Sequence, residues 1–216
     1  MPVPDPLGVT RNHRLVTQLK KIEREEEIPE RWRGTPIAAL IAAHNFDTPI
    51  TPTGKPELFI STCIEFRFMP KVPAMYSYVV RRASGRLIGS EFSLAYTLSR
   101  GVRHVVLIGH DDCGMTQVSH HRPAMIEALV EQGWDRERAE EYVSMHAGRY
   151  AIQDEVDSLK REFFRLKRLF KNLELAPLFV SLRSDNLYVP HWYLEHLENP
   201  SPEEEKVAPQ DLLMLP

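Results

Sequence analysis

Residues 105–114 read VVLIGHDDCG, and the rest of the chain is organised around this stretch. Its apolar, mostly β-branched first half is typical of a strand buried on both faces, as in a parallel sheet covered by helices. The strand delivers His110, and three residues later Cys113, to the loop that follows it. Because ligands of open α/β sheets bind at the carboxyl ends of the strands, this loop is the first candidate for a functional site.

The second cysteine of the chain, Cys63, has similar surroundings, because it ends residues 58–63, another predicted strand. Zinc favours thiolate and imidazole ligands, and a catalytic zinc keeps three protein ligands and one position for water. We therefore predict that Cys63, His110 and Cys113 bind one zinc ion. The alternative is that both cysteines are small buried apolar residues, the commonest role of free cysteine. Two cysteines at strand ends, one of them in a His-x-x-Cys-Gly sequence, favour the metal.

Two charged residues follow Cys63 at alternate positions, Glu65 and Arg67. In an extended chain, residues two apart share a face, so Cys63, Glu65 and Arg67 are expected to project to one side. This places a carboxylate and a guanidinium beside the predicted metal, where both are candidate catalytic residues. The alternative is an ordinary exposed ion pair, which contributes little to stability.

The remaining pattern predicts an α/β fold with a mostly parallel central sheet flanked by helices. A strand near 76–80, a helix over 91–100 with Ser90 as its N-cap, and the strand at 105 form a βαβ unit. Two weaker helical patterns over 122–145 break near Gly133. The last predicted elements are a long amphipathic helix over 152–170, a strand over 177–182 and an antiparallel partner over 186–189.

Composition changes along the chain predict three parts: an N-terminal helical arm and linker over 1–56, a zinc-binding α/β domain over 57–198 and a C-terminal tail over 199–216. In the arm, Leu15, Leu19 and Ile22 form one stripe of a predicted helix over 9–27. A second helix is predicted over 37–44, with Thr35 as N-cap and Pro36 at its first position. Such an arm packs either on a partner subunit or on its own domain.

The overall composition excludes several classes of protein. The formal net charge of −3 over 216 residues gives no basic signature of nucleic-acid binding. No apolar run is long enough to span a bilayer, and the first residues lack the apolar core of an export signal. We therefore expect a cytoplasmic protein without a membrane or nucleic-acid partner, in which the cysteines are thiolates rather than a disulfide.

Residues 63–67, CIEFR, and 110–114, HDDCG, resemble the two signatures of the β-class carbonic anhydrases, C-x-D-x-R and H-x-x-C-G. Residues 82–85, RASG, occupy the place of that family's R-N-A-G segment. The resemblance covers roughly residues 58–190, about the size of one catalytic domain.

The resemblance implies a zinc lyase that hydrates carbon dioxide to bicarbonate and works as a homodimer or a dimer of dimers. It assigns Cys63, His110 and Cys113 as zinc ligands. By the same resemblance, Arg67 is the arginine of an acid–arginine pair that controls the fourth zinc position. The N-terminal helices correspond to an arm that packs on the neighbouring subunit.

This chain departs from the family at position 65, where glutamate replaces aspartate. The extra methylene moves the carboxylate by about 1.5 Å, roughly one carbon–carbon bond. Glu65 can pair with Arg67, can be the fourth zinc ligand and close the site, or can reshape the pocket for carbonyl sulfide or carbon disulfide. A closed site would make the chain a non-catalytic relative in which zinc only stabilises the fold.

Overall fold

A computed structural model of the chain describes residues 17–199. Its strands are β1 (Leu19–Lys21), β2 (Leu58–Cys63), β3 (Ser77–Arg82), β4 (His104–His110), β5 (Glu174–Val180) and β6 (Leu187–Pro190). Its α-helices are α1 (Pro36–Asn45), α2 (Glu91–Ser99), α3 (Val118–Glu131), α4 (Arg136–Tyr150), α5 (Glu155–Leu169) and α6 (His191–Glu198), and short 3-10 turns occupy Glu25–Glu27, Glu30–Trp32, Ala83–Gly85 and Gly114–Gln117. None of the helices in this range is long and apolar enough to cross a membrane.

The strands form one sheet in the order β1-β6-β5-β4-β2-β3. Strands β5, β4, β2 and β3 are parallel to one another, whereas β6 and β1 add antiparallel pairings at one edge. The connection from β3 through α2 to β4 passes across β2, which lies between them, as parallel strands require a crossover. The predicted α/β fold with a mostly parallel sheet flanked by helices is confirmed.

The two central strands that carry the candidate ligands end at the same edge of the sheet. All six residues of β2 are buried, and Thr62 pairs with Ile108 of β4. Further along β4, Gly109 faces the ring of Phe179 on β5; a Cβ at this position would lie 3.1 Å from that ring. A larger residue here would therefore push β5 away from the strand that carries His110.

Helix α5 covers the sheet along β4 and β5. The stripe predicted from the sequence is buried on it, at Val156, Leu159, Phe163 and Leu166. The helix begins at Glu155 rather than near 152, because the Asp154 carboxylate accepts the backbone N–H of Asp157 at 2.8 Å and caps the first turn.

The N-terminal segment differs from its prediction. Instead of a helix continuing to residue 27, Leu19–Lys21 is a strand antiparallel to β6, and Glu25–Glu27 is a single 3-10 turn. The apolar spacing of Leu19 and Ile22 suits a helix, but both side chains are buried here because the chain turns after β1. Leu15 and the tail from residue 200 lie outside the described residues.

The rest of the predicted arm packs on its own sheet. Helix α1 begins as predicted, with the Thr35 hydroxyl accepting the backbone N–H of Ile37 at 3.2 Å. Its apolar residues belong to the main core, and the ring of Trp32 stacks on Tyr193 of α6 at 5.1 Å. Of the two packings considered for the arm, the described part therefore adopts the one on its own domain.

Near the end of α1, His44 links three parts of the chain. Its Nδ1 donates to the carbonyl of Asp185 at 2.8 Å, and its Nε2 accepts the backbone N–H of Lys71 at 2.9 Å. This pair of contacts requires the neutral imidazole. Burial lowers the pKa of His44, which agrees with a neutral ring.

We expect His44 to make the fold sensitive to acid. Its folded pKa lies below the unfolded value near 6.5, so its contribution is complete above that pH and is lost as pH falls through the folded pKa. His44→Asn should cost about 1–2 kcal/mol at pH 7.5. The difference in melting temperature between wild type and this variant should shrink from pH 7.5 to 5.5, as measured by calorimetry; a constant difference would contradict the neutral assignment.

Candidate metal centre

The three predicted metal ligands lie together at the carboxyl edge of the sheet. Cys63 is the last residue of β2, His110 is the last residue of β4, and Cys113 follows after a tight turn. Their ligand atoms all lie within 4.8 Å of one another, and the two sulfurs are 4.0 Å apart. All three side chains are buried, so the group could hold one metal ion shielded from bulk water.

The imidazole of His110 is oriented for a metal. Its Nδ1 donates to the carbonyl of Asp111 at 2.7 Å, which leaves the lone pair on Nε2. Nε2 is buried without a hydrogen-bond partner of normal geometry and belongs to the same cluster as the two sulfurs. A buried nitrogen without such a partner costs free energy unless something binds it. The Nδ1 contact to a backbone carbonyl is the usual support of a metal-binding histidine, so the residues fit a metal ion.

The sulfurs are held in a state suited to metal binding. The contact between the two sulfurs lowers the pKa of Cys63 and raises the pKa of Cys113, so that one of the pair ionises readily. The backbone N–H of Ser84 is directed at the Cys63 sulfur, and that of Met115 at the Cys113 sulfur. The pair therefore carries a thiolate at neutral pH, the form in which cysteine binds metals.

A tight turn after β3 brings the N–H of Ser84 to this sulfur. Ser84 has φ 65°, a conformation uncommon for a residue with a side chain. At the next position, Gly85, a Cβ would lie 3.2 Å from the backbone nitrogen of Cys63. The Ser61 hydroxyl fixes the turn by donating to the Gly85 carbonyl at 2.8 Å. Glycine at 85 is thus required by the close approach of two backbones.

Glu65 and Arg67 form a bidentate pair beside the cluster. Arg67 Nε donates to one carboxylate oxygen at 2.7 Å and Arg67 Nη2 to the other at 2.8 Å. The backbone N–H of Arg67 also binds the first oxygen, at 2.8 Å. These bonds, led by the guanidinium, hold the pKa of Glu65 at about 2, so the carboxylate is charged at neutral pH. Of the three arrangements considered for Glu65, the structure contains the pairing with Arg67.

The backbone reaches this geometry by a turn and not by the extended chain that the sequence suggested. Strand β2 ends at Cys63, and Phe66 and Arg67 lie in a turn. The turn leaves Glu65 buried and Phe66 89% exposed. Because Glu65 and Arg67 flank the tip of the turn, their side chains fold back onto each other.

Two aspartates beside the cluster, and the serine predicted as the N-cap of α2, accept hydrogen bonds from donors distant in sequence. The Asp111 carboxylate accepts the backbone N–H of Leu182 at 2.8 Å, and the Asp112 carboxylate accepts from Arg67 Nη1 at 2.8 Å. The Ser90 hydroxyl makes no cap for α2 and instead accepts from the Arg82 guanidinium. In each case a distant donor competes successfully with the local backbone.

No family model matches the chain, and no curated protein sequence matches it. Solved structures do match: the β-carbonic anhydrase isoform I of Trichomonas vaginalis aligns with a TM-score of 0.54 at 18% identity, over 70% of this chain and 92% of that one. The chain has the β-carbonic anhydrase fold. A carbonic anhydrase from Glaciozyma antarctica aligns with a TM-score of 0.48 and 20% identity, over 76% and 99% of the two chains. A carbon disulfide hydrolase aligns with a TM-score of 0.48 and 14% identity, over 72% and 89%.

Within the β-carbonic anhydrase fold, the resemblance predicted from two short signatures is confirmed by the alignment of the sheet and helices. Sequence reasoning missed Arg81 and His44, which support the segment after Cys63. The Arg81-Arg82 pair at the end of β3 was a usable signal, because β3 is parallel to β2 and ends beside Cys63. For His44, nothing local distinguishes a supporting histidine from a surface one.

Proposed function

We propose that the chain is a zinc enzyme that hydrates carbon dioxide to bicarbonate. The observation that carries the proposal is the convergence of Cys63, His110 and Cys113 within 4.8 Å beside the Glu65–Arg67 pair. This arrangement occurs on a fold shared with a β-carbonic anhydrase.

The donor set supports zinc as the metal. Cysteine thiolates with one imidazole are preferred by zinc, whereas magnesium and calcium take oxygen ligands. Cys63, His110 and Cys113 would hold the ion, and three protein ligands are typical of a catalytic rather than a structural zinc. When bound, zinc supplies water with a pKa lowered toward neutrality and an electrophilic centre.

Glu65 and Arg67 orient the reactants in the proposed reaction. Both oxygens of Glu65 are bound by Arg67, which supports a carboxylate that lies beside the metal position rather than a fourth ligand. A charged carboxylate accepts a hydrogen bond from the attacking water and fixes the direction of its lone pair. The positive charge of Arg67 favours the negative charge that appears on the product. Water adds an oxygen to the carbon, one C=O π bond breaks, and the released proton passes to solvent.

The assembly and the domain organisation also belong to the proposal. We expect a homodimer or a dimer of dimers of a cytoplasmic protein, with residues 57–198 as the zinc-binding domain and 1–56 and 199–216 as arm and tail. Light scattering on the purified chain measures the assembly directly, and a monomer at micromolar concentration would contradict it.

Glu65→Asp tests the proposed reaction at the position where the chain differs from the signature. Wild type should show measurable carbon dioxide hydration in stopped flow. The aspartate variant should raise kcat about tenfold, because a shift of one bond length is large for a catalytic group. Carbonyl sulfide and carbon disulfide are assayed in parallel. If both proteins hold full zinc and are inert toward carbon dioxide, a sulfur substrate or a purely structural zinc replaces the proposed function.

A further inference from the structure

The guanidinium of Arg81, on edge strand β3, binds three backbone carbonyls of the segment that follows β2. Its Nε donates to the carbonyl of Cys63 at 3.2 Å, and its Nη2 donates to the carbonyls of Glu65 and of Phe68, the latter at 2.9 Å. A single planar group thus connects the carbonyl of a proposed ligand to the backbone of Glu65. Neither sequence signature includes Arg81.

The segment needs such support because it has left the sheet. Beyond β2 its ladder continues only to Ile64, whose N–H binds the Arg82 carbonyl at 3.2 Å. At its far end the buried ring of Phe68 lies 5.5 Å from the ring of His44, which also accepts the N–H of Lys71. Between these two anchors lies the turn with Glu65 and Arg67.

Glu65 is therefore held at two places. Arg67 holds its carboxylate, and Arg81 holds its backbone carbonyl. The guanidinium of Arg67 fixes the direction of the Glu65 side chain. The guanidinium of Arg81 fixes where the Cα of Glu65 lies relative to Cys63. Five donors in a rigid plane suit this task, whereas a lysine ammonium cannot span the same carbonyls in one plane.

We propose that Arg81 is a positioning residue that sets the distance between the Glu65–Arg67 pair and the metal ligands. The proposal rests on the proposed function, because it gives the pair a role in catalysis. Catalytic groups must be held within about 0.5 Å of their productive geometry. Loss of the contacts from Arg81 lets the turn with Glu65 and Arg67 move, while Cys63 stays at the end of β2 and His110 at the end of β4.

Arg81→Gln and Arg81→Lys test this role, with Arg103→Gln as the matched control. Arg103 also binds two carbonyls, those of Leu98 and Val102 at 2.9 and 2.8 Å, but it lies before the start of β4, at the opposite end from His110. Arg81→Gln should keep one zinc per chain and lower kcat about 10- to 100-fold with little change in KM. Millimolar guanidinium added to Arg81→Gln should restore part of kcat. The Arg81→Lys variant should have a kcat close to that of Arg81→Gln. Arg103→Gln should match wild type.

A second readout needs no catalysis. In NMR spectra of the zinc-loaded protein, the Hε proton of Arg67 reports on its bond to Glu65. Its exchange with water should accelerate about tenfold in Arg81→Gln but not in Arg103→Gln, as one net hydrogen bond is lost. If wild type proves inert toward carbon dioxide, faster exchange still supports the positioning role, and only the proposed function fails. Unchanged Hε exchange of Arg67 together with an unchanged kcat in both Arg81 variants would overturn the positioning role of Arg81. If Arg81→Gln does not fold, Arg81→Lys decides by the same two measurements.

Discussion

The His110→Asn variant is expected to lose its metal and all measurable carbon dioxide hydration. One of three proposed ligands disappears, and asparagine offers an amide in place of the Nε2 lone pair that faces the two sulfurs. Structural zinc sites bind with roughly 10–16 kcal/mol in total, so one ligand of three accounts for an affinity loss of at least about 100-fold. Zinc content after dialysis, measured by plasma mass spectrometry, should fall from one per chain to near zero.

His104→Asn provides the matched control, because His104 begins the same strand that His110 ends. This variant removes an imidazole from β4 but leaves the cluster complete, so its zinc content should equal that of wild type. Added zinc should raise the melting temperature of wild type and of His104→Asn, since a ligand that binds only the folded state stabilises it. The melting temperature of His110→Asn should not respond. Full zinc content in His110→Asn would refute the ligand assignment.

The Glu162→Ala variant is expected to lose about 3–5 kcal/mol of unfolding free energy, the largest stability loss of any change considered. The side chains of Arg165 and Glu162 on α5 are only 4% and 3% exposed. Arg165 donates to both carboxylate oxygens, at 2.9 and 2.8 Å, and Glu162 also accepts the backbone N–H of Leu87 at 2.8 Å. Alanine would leave a buried guanidinium bound to Glu91 alone and a buried N–H without a partner.

An exposed arginine–glutamate pair that is also bidentate provides a control for the effect of burial. Arg136 and Glu127 also form two parallel bonds, both at 2.8 Å, but their side chains are 53% and 56% exposed. Glu127→Ala should therefore cost far less than Glu162→Ala in the same urea titrations, because an exposed ion pair contributes little to stability. A double change of Glu162 and Arg165 to leucine should cost less than Glu162→Ala, because the buried guanidinium is removed together with its carboxylate partner, while the less deeply buried Glu91 and Arg86 each lose one ion pair. Equal losses for Glu162→Ala and Glu127→Ala would show that burial does not control these pairs.

Much of the site followed from the sequence because buried parallel strands leave a strong local signal. Residues 58–60 and 105–108 are continuous apolar runs, and parallel strands end at one edge. Once Cys63 and His110 were placed at such ends, the His-x-x-Cys spacing was enough to predict that Cys113 lies near them. The pairing of Glu65 with Arg67 was one of three possibilities that the spacing left open, and it is the arrangement that the structure contains.

The features that the sequence did not predict all depend on distant partners. Leu19–Lys21 becomes a strand because β6, about 170 residues later, offers an edge, while its apolar spacing equally fits a helix. Ser90 is a typical N-cap residue, yet its hydroxyl accepts a hydrogen bond from the Arg82 guanidinium instead. The Arg81-Arg82 pair predicts a guanidinium near the end of β2, but no sequence pattern predicts which carbonyls Arg81 binds, because carbonyls are present at every residue.

X-ray absorption at the zinc edge of the purified protein, combined with zinc content per chain, tests the metal centre most directly. We expect one zinc per chain, with two sulfurs at about 2.3 Å and nitrogen or oxygen ligands at about 2.0 Å. We expect the sulfurs to be those of Cys63 and Cys113 and the nitrogen to be Nε2 of His110, the ring nitrogen that has no hydrogen-bond partner of normal geometry. Protein without stoichiometric zinc, or zinc with a sulfur count other than two, would contradict the proposed metal centre and the enzymatic function built on it.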